Sequence, residues 1–253
     1  MKWRLIEQET YAAAMNMAID HAIYESVANE REKPTIRFYK WLNNSISLGA
    51  YQNHSELNLG ACKKYNIETV RRMTGGRAVY HDKVDFTYSV IAHIRAFNYS
   101  VESAYREICF WIIDSLKELG INAKLENKND ITVDGKKISG NAAKAMEHGV
   151  YLQHGTLIYD LDLEIVPKVL NVTPDIVQQR AVSILQCKNL GQKEVNDALR
   201  KNFTFNKDIK TAELSKYEWM RALDLSKTTY GKISLPAGTF VKYKGACYVE
   251  RGN

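Results

Sequence analysis

Between Arg71 and Asp82 the chain reads RRMTGGRAVYHD, after the strand-like Ile67-Glu68-Thr69-Val70. The run gathers three arginines, two adjacent glycines and a His-Asp pair. Neither Gly75 nor Gly76 carries a Cβ, so the backbone can approach a ligand closely. Successive N–H groups in such a turn form a small anion-binding concavity. Arginines on either side would hold a carboxylate or phosphate by paired hydrogen bonds. The chemistry implied is the holding of an anionic, phosphorylated ligand. The competing reading is a glycine turn with solvated arginines.

Two further clusters carry polar chemistry. The first is NDITVDGKKISGNA, Asn129 to Ala142. Its Asp134-Gly135 pair signals a hairpin, and a lysine on it would stabilise charge on a phosphate or an acyl carbonyl. Solvated surface lysines are the alternative. The second is Gln153-His154-Gly155-Thr156-Leu157. Glycine weakens a strand interior unless something must come close, whereas a lone histidine is commonly a satisfied core residue. Cys109, inside Ile108-Cys109-Phe110-Trp111, reads as core rather than nucleophile. HExxH, a Walker-type lysine loop and GxGxxG are all missing.

The elements that must position these clusters follow from periodicity. Ala12 to Ala28 reads as an amphipathic helix. Thr35–Tyr39 and Ser45–Gly49 read as strands, Leu57–Tyr65 as a helix and Asp85–Ile91 as a strand. Ser103 to Leu119 is a long helix stopped at Gly120. The hairpin and the strand Val150–Tyr159 follow, then a short helix over Leu163–Leu170. From about Lys188 polar helices appear, Val195–Lys201 and Ala212–Leu223, and Lys232 to Glu250 is β-like. The expected fold is α/β (α+β), a mixed, mainly antiparallel sheet flanked by helices. Residues 1–185 form the core, and 186–253 a helical segment with a short β-like end.

With 253 residues, 45% hydrophobic and 25% charged, the composition is ordinary for a globular chain. The net charge of +6 favours acidic partners without singling out nucleic acid, because no run of like charges marks a basic tail. No signal peptide or membrane span is indicated. Four scattered cysteines without a CxxC pair point to a reduced, cytoplasmic setting and no structural zinc.

Taken in order, RRMTGGRAVYHD, NDITVDGKKISGNA and QHGTLIYDLDL resemble the lipoate–protein ligase A family, within the superfamily of biotin ligases and octanoyltransferases. The resemblance covers roughly residues 1–185. It implies an enzyme that makes an acyl-adenylate from lipoate, or octanoate, and ATP. The acyl group then passes to a lysine of a lipoyl domain of a 2-oxoacid dehydrogenase E2 or of the glycine-cleavage H protein. On that resemblance, Arg72, Gly75, Gly76, Arg77, Ala78, Val79 and Tyr80 surround the acyl-adenylate, with Val79 against the acyl chain. Lys137 is the catalytic lysine. Asn129 and Asp130 meet the nucleotide, with Asp130 on Mg²⁺. His81, Asp82, Gly140, His154, Gly155 and Thr156 line the same region.

Three departures bear on that expectation. Arg77 stands where ligases usually have a third glycine. The Gly-Gly-Arg form and the Gln153-His154 pair are more typical of cysteine-dependent octanoyltransferases of the same fold. Those enzymes carry their cysteine shortly before the lysine, yet no cysteine lies between Cys109 and Cys187, which favours the ligase. Finally, Ile233–Tyr243 resembles the opening strand of an accessory domain, so either a separate accessory subunit supports adenylation or the terminal hairpin suffices. The alternatives are an octanoyl or lipoyl transferase using an acyl-carrier-protein donor, and a non-catalytic binder of acyl-adenylate or nucleic acid.

Overall fold

The strand Thr35–Trp41 shows how one sheet acquires two cores. Its side chains alternate between faces. Ile36 and Phe38 enter one apolar cluster, and Tyr39 and Trp41 enter the other. The computed structural model describes residues 1–53, 57–126, 129–145, 149–231, 240–243 and 246–249.

In chain order the elements are β1 (Lys2–Tyr11), α1 (Ala13–Ala28), β2 (Thr35–Trp41), β3 (Ser45–Leu48), α2 (Leu59–Lys64), β4 (Glu68–Arg71), β5 (Val79–His81), β6 (Phe86–His93) and α3 (Val101–Glu118). There follow β7 (Lys124–Glu126), β8 (Asp130–Val133), β9 (Lys136–Ala145), β10 (Val150–Leu157), α4 (Ile165–Val169), α5 (Pro174–Arg180) and α6 (Ile184–Cys187). The chain continues through α7 (Gln192–Thr204), β11 (Asp208–Thr211) and α8 (Lys216–Thr228) to β12 (Phe240–Tyr243) and β13 (Ala246–Val249). The β-like stretch expected over Lys232–Glu250 lies partly outside the described residues. Within it, β12 and β13 pair antiparallel.

The main sheet runs β11-β1-β2-β6-β10-β9-β8-β7, and a small sheet runs β4-β3-β5. In the main sheet β1 pairs in parallel with both β2 and β11, and the other pairings are antiparallel. The expected mixed, mainly antiparallel sheet flanked by helices is therefore present. One face packs against α3 and α7 through Ile108, Ile112, Leu199 and Phe203. The other packs against α1 and α8 through Ile19, Ile23, Trp219 and Leu225. Each such side chain contributes about 1.5–3 kcal/mol relative to exposure.

Helix α1 departs from the amphipathic expectation: most of its residues are buried, Asn16 and Asp20 among them. It lies between the main sheet, α8 and strands of the small sheet. Its polar pair, spaced i and i+4, shares one helix face. Both residues meet Arg37: Nη2 donates to Asn16 Oδ1 and Nη1 to Asp20 Oδ1, each at 2.8 Å. Helix α8 is tied to β1 by Arg4, whose guanidinium donates to both Glu218 oxygens at 2.8 and 2.6 Å.

Candidate functional site

The three clusters converge because the sheets stack them. Strand β10 pairs with β9 so that Thr156 faces Gly140 and His154 faces Ala142. The small sheet ends in the Arg/Gly loop, which Thr74 joins to the main sheet through a 2.6 Å hydrogen bond with His154 Nε2. Between them lies a cavity of about 330 Å³. From the first cluster Arg72, Gly76, Arg77, Ala78, Val79 and His81 line it. The second contributes Asn129, Asp130, Lys137 and Gly140, and the third contributes His154, Gly155 and Thr156.

Three expected residues stand elsewhere. Gly75 is outside the lining, and its carbonyl accepts from Arg72 Nη2 at 2.7 Å. Tyr80 faces a second cavity, and its hydroxyl accepts from Asn44 at 2.7 Å. Asp82 lines neither cavity, because its carboxylate caps the following turn at Val84 N–H.

The arginines correct the anion-clamp reading. Arg72 is buried, and its guanidinium donates to the carbonyls of Ser47, Gly75 and Arg77 at 2.7–2.8 Å. Burial lowers its pKa to about 10. Arg71 donates to the carbonyls of Gly49 and Gln52 at 2.8 and 2.7 Å. Both side chains hold the loop in shape. Gly76 has φ +94°, a region that favours glycine. A Cβ on Gly49 would run into the Gly76 carbonyl, so the loop and β3 close on one another only because Gly49 lacks one.

Lys137, the second residue of β9, lies over Gly140, where an added Cβ would stand 2.5 Å from Cε and 2.7 Å from Nζ. Its ammonium lies 2.8 Å from Asp130 Oδ1 on β8. The ion pair is partly exposed, which suits a group that must meet an incoming substrate.

The floor is polar and internally satisfied. His81 Nε2 shares a 2.7 Å hydrogen bond with Ser47, and Nδ1 a 2.9 Å bond with Thr156. Its ring stacks on Trp41 at 4.2 Å. Burial, reinforced by the Arg72 charge, pushes its pKa well below the ordinary range, so the imidazole is neutral. Burial opposes ionisation of Asp20, yet its hydrogen bond with His154 and the Arg37 charge outweigh it and hold the carboxyl below its usual range.

The motifs missed the buried end of the cavity. Met17 on α1 and Tyr39 and Trp41 on β2 form that end, all at most 3% exposed. Ser47, Thr87, Asn141 and Ala142 complete the lining. Asn141 and Ala142 end the second sequence cluster, whereas the others belong to no motif and Trp41 lies past the expected strand Thr35–Tyr39.

A second cavity, of about 560 Å³, adjoins the first and shares Arg77, Ala78, Val79 and Lys137 with it. The segment after β10 walls it with Ile158, Leu161, Val166, Ile176 and Val177. Neither cavity has a described cysteine in its lining. Cys62 and Cys109 are buried in apolar clusters, and Cys187 is half-buried. Burial pushes the Cys109 thiol up to about 12 and raises the other two.

The family model described as the lipoyl protein ligase A/B catalytic domain matches residues 12–209. Octanoyltransferase LipM of Clostridioides difficile (strain 630) is 32% identical over 251 residues, covering 86% of this chain and 92% of that protein. Octanoyltransferase LipM of Bacillus subtilis (strain 168) is 30% identical, covering 90% and 95%. A lipoate-protein ligase A structure bound with ATP superimposes with a TM-score of 0.80 at 29% identity, covering 90% of this chain and 95% of that one. The bi-partite lipoate protein ligase of Thermoplasma acidophilum gives 0.78 at 28% identity, covering 90% and 93%.

These findings correct the expected activity and cofactors. The curated relatives bear the name octanoyltransferase, so the expectation of an ATP-dependent, acyl-adenylate-forming ligase gives way to the transferase alternative. ATP and Mg²⁺ fall with it. Asp130, the expected Mg²⁺ ligand, has its carboxylate paired with Lys137. Among the described residues no three His, Cys, Asp or Glu side chains converge as a metal site. The matched span and the relatives together place the chain in the lipoyl protein ligase A/B catalytic-domain family.

Proposed function

We propose that this protein transfers an octanoyl-class acyl group from a carrier-bound thioester to a lysine of a lipoyl domain or glycine-cleavage H protein. The observation that carries the reading is a cavity of about 330 Å³ lined both by the buried Met17, Tyr39 and Trp41 and by the partly exposed Lys137. An unbranched acyl tail fits the first and a polar carbonyl the second. The names of the curated relatives support the same chemistry.

The described residues support direct aminolysis. The acceptor amine, in its neutral form, attacks the thioester carbonyl carbon, and the C–N bond forms. Charge gathers on the carbonyl oxygen, and the Lys137 ammonium donates a hydrogen bond to it. The C–S bond then breaks, and the departing sulfur takes the proton released by the amine. Arg72, Gly76 and Val79 hold the loop against the acyl chain, and His81 and His154 keep the floor rigid. Asn129 and Thr156 line the cavity where the chain and thioester would lie, while Gly140 makes room for Lys137, and Gly155 for Asn141 and Tyr88. This route has no adenylation step for an accessory subunit to support. The unpaired Cys62, Cys109 and Cys187 fit a reducing, cytoplasmic setting.

The test is mass spectrometry of a lipoyl domain incubated with the protein and octanoyl-acyl carrier protein, without ATP. An octanoyl mass gain on the acceptor is expected. Modification seen only with free octanoate, ATP and Mg²⁺ would overturn the proposal.

A further inference from the structure

We infer that the second cavity binds the pantetheine arm of the acyl donor, which places the thioester at the waist between the two cavities. The inference rests on the transferase reading. The waist is formed by the shared residues Arg77, Ala78, Val79 and Lys137. A chain lying with its acyl tail on Met17 and its carbonyl at Lys137 would continue past Val79 into the second cavity, which shares that residue.

The chemistry of that cavity suits the arm. Pantetheine alternates two amides with short alkyl segments and a gem-dimethyl group. It needs apolar walls with a few amide partners, and its outer end carries a phosphate on a carrier protein. The walls supply Val172 and Ile176, apolar side chains that remain 37% and 36% exposed beside the cavity. Asn171 offers an amide group along the lining, which also includes Gln52, whose Oε1 accepts from Gly49 N–H at 3.3 Å. Asp160 and Asp162 are turned to their own loop: Asp160 Oδ1 accepts from Leu161 N–H, and Asp162 Oδ1 from the N–H groups of Glu164 and Ile165, all at 2.8 Å. Arg180, the last residue of α5, lines the cavity and is solvent-exposed, so a phosphate can reach it.

An acceptor lysine poses a different demand. It arrives as one flexible tetramethylene arm and needs only a port to the waist, not a cavity larger than the acyl site itself. The larger, apolar-walled cavity therefore goes to the longer substrate.

Steady-state transfer to a lipoyl domain tests this with three octanoyl thioester donors: N-acetylcysteamine, pantetheine and 4′-phosphopantetheine. The wild-type protein is expected to show a KM for the pantetheine donor at least about tenfold below that for N-acetylcysteamine, the scale of a few alkyl groups entering an apolar pocket. Ile176→Trp and, separately, Val172→Trp should erase that advantage while leaving the N-acetylcysteamine KM unchanged. Both positions are partly exposed, so both variants should fold. Arg180→Glu should raise KM only for the phosphorylated donor. Equal KM values for the three donors in the wild-type protein would overturn the inference and leave the transferase reading intact. So would tryptophan variants that raise the acceptor KM instead. Transfer from none of the thioesters would overturn the transferase reading itself, and the inference with it.

Discussion

Lys137 Nζ and Asp130 Oδ1 meet at 2.8 Å across the β8–β9 hairpin, and that pair sets the ammonium at the boundary between the two cavities. The Asp134-Gly135 turn pairs Lys137 with Thr132, a bulge then shifts the register so that Asp130 pairs with Gly140, and the Lys137 side chain lying over Gly140 meets Asp130. Both turn residues have positive φ, 49° and 75°, as a tight type I′ hairpin requires. The charge needed at the carbonyl is thus oriented before substrate arrives. A preorganised donor stabilises a transition state more than a mobile one.

Lys137→Ala should therefore lower kcat by about 10²–10³ with little change in Tm, because the side chain is partly exposed and its loss opens no core cavity. Lys137→Arg should recover only part of the rate, since a planar guanidinium cannot fold over Gly140 as an ammonium does. Wild-type turnover by the alanine variant would remove Lys137 from the chemistry.

Gly140→Ala tests the position of that ammonium rather than its charge. The added methyl would meet Cε and Nζ of Lys137 at 2.5 and 2.7 Å. The far end of a flexible side chain moves more cheaply than backbone, so the fold should survive and the lysine should be displaced. Expected is a fall in kcat of about tenfold or more with Tm nearly unchanged. A fall in Tm without a change in kcat would show that Gly140 serves packing alone.

The sequence made the hairpin, the Gly-rich loop and most helices legible because each rests on a local requirement: a positive φ, a cap or an apolar period. It hid what depends on distant partners. Nothing local distinguishes an arginine that binds a ligand from Arg71 and Arg72, which bind carbonyls of their own loop. Strand β1 went unread because its polar residues KWRLIEQETY mask the alternation. Its parallel partners come from β2 and from β11, some two hundred residues away. Met17 and Trp41 belong to no chemical motif and are buried in the core, yet both also line the first cavity. The missing cysteine before Lys137 favoured a ligase because thioester chemistry was tied to a thiol nucleophile. A route through direct aminolysis removes that requirement.

That route makes its own demand on the cysteines. The described thiols lie outside the cavity linings, and burial holds Cys109 near 12, where thiolate is scarce at neutral pH. Conversion of Cys62, Cys187 and Cys247 to serine, and of the buried Cys109 to alanine, should each leave transfer within about threefold of wild type. Intact-mass spectra of the enzyme mixed with donor alone should show no acylated enzyme. A thioester-linked octanoyl adduct lost in one cysteine variant would replace direct aminolysis with a covalent path.

Asp85 carries a pH signature. Its carboxyl is buried, accepting from the N–H groups of Tyr159 and Asp82 at 2.8 and 3.0 Å, and burial pushes its pKa up to about 8. The Lys40 charge opposes the shift and Asp82 adds to it. In the unfolded chain an aspartate titrates near ~4. Between those values the folded state binds more protons, so its contribution to stability is complete below about pH 4 and is lost as pH rises through about 8. The slope is at most ~1.4 kcal/mol per pH unit. Tm measured from pH 5 to 9 should fall more steeply for wild type than for Asp85→Asn. Parallel profiles would show that Asp85 is ionised in the fold.

The buried end of the acyl cavity should act as a ruler. Met17 projects from α1 beside Tyr39 and Trp41, and α1 is packed on its other sides, so the end wall cannot retreat. Met17→Phe places a stiffer, bulkier ring where the tail of an octanoyl chain would lie. Each methylene excluded from an apolar pocket reduces kcat/KM by roughly tenfold or more. The variant should therefore lose octanoyl transfer by that factor or more while keeping butanoyl transfer near the wild-type rate. Retained Tm would separate this from an overpacked core, whose cost is about 1–3 kcal/mol. Equal losses for both chain lengths would mean that the tail does not reach Met17 and that the acyl group lies in the opposite direction through the waist.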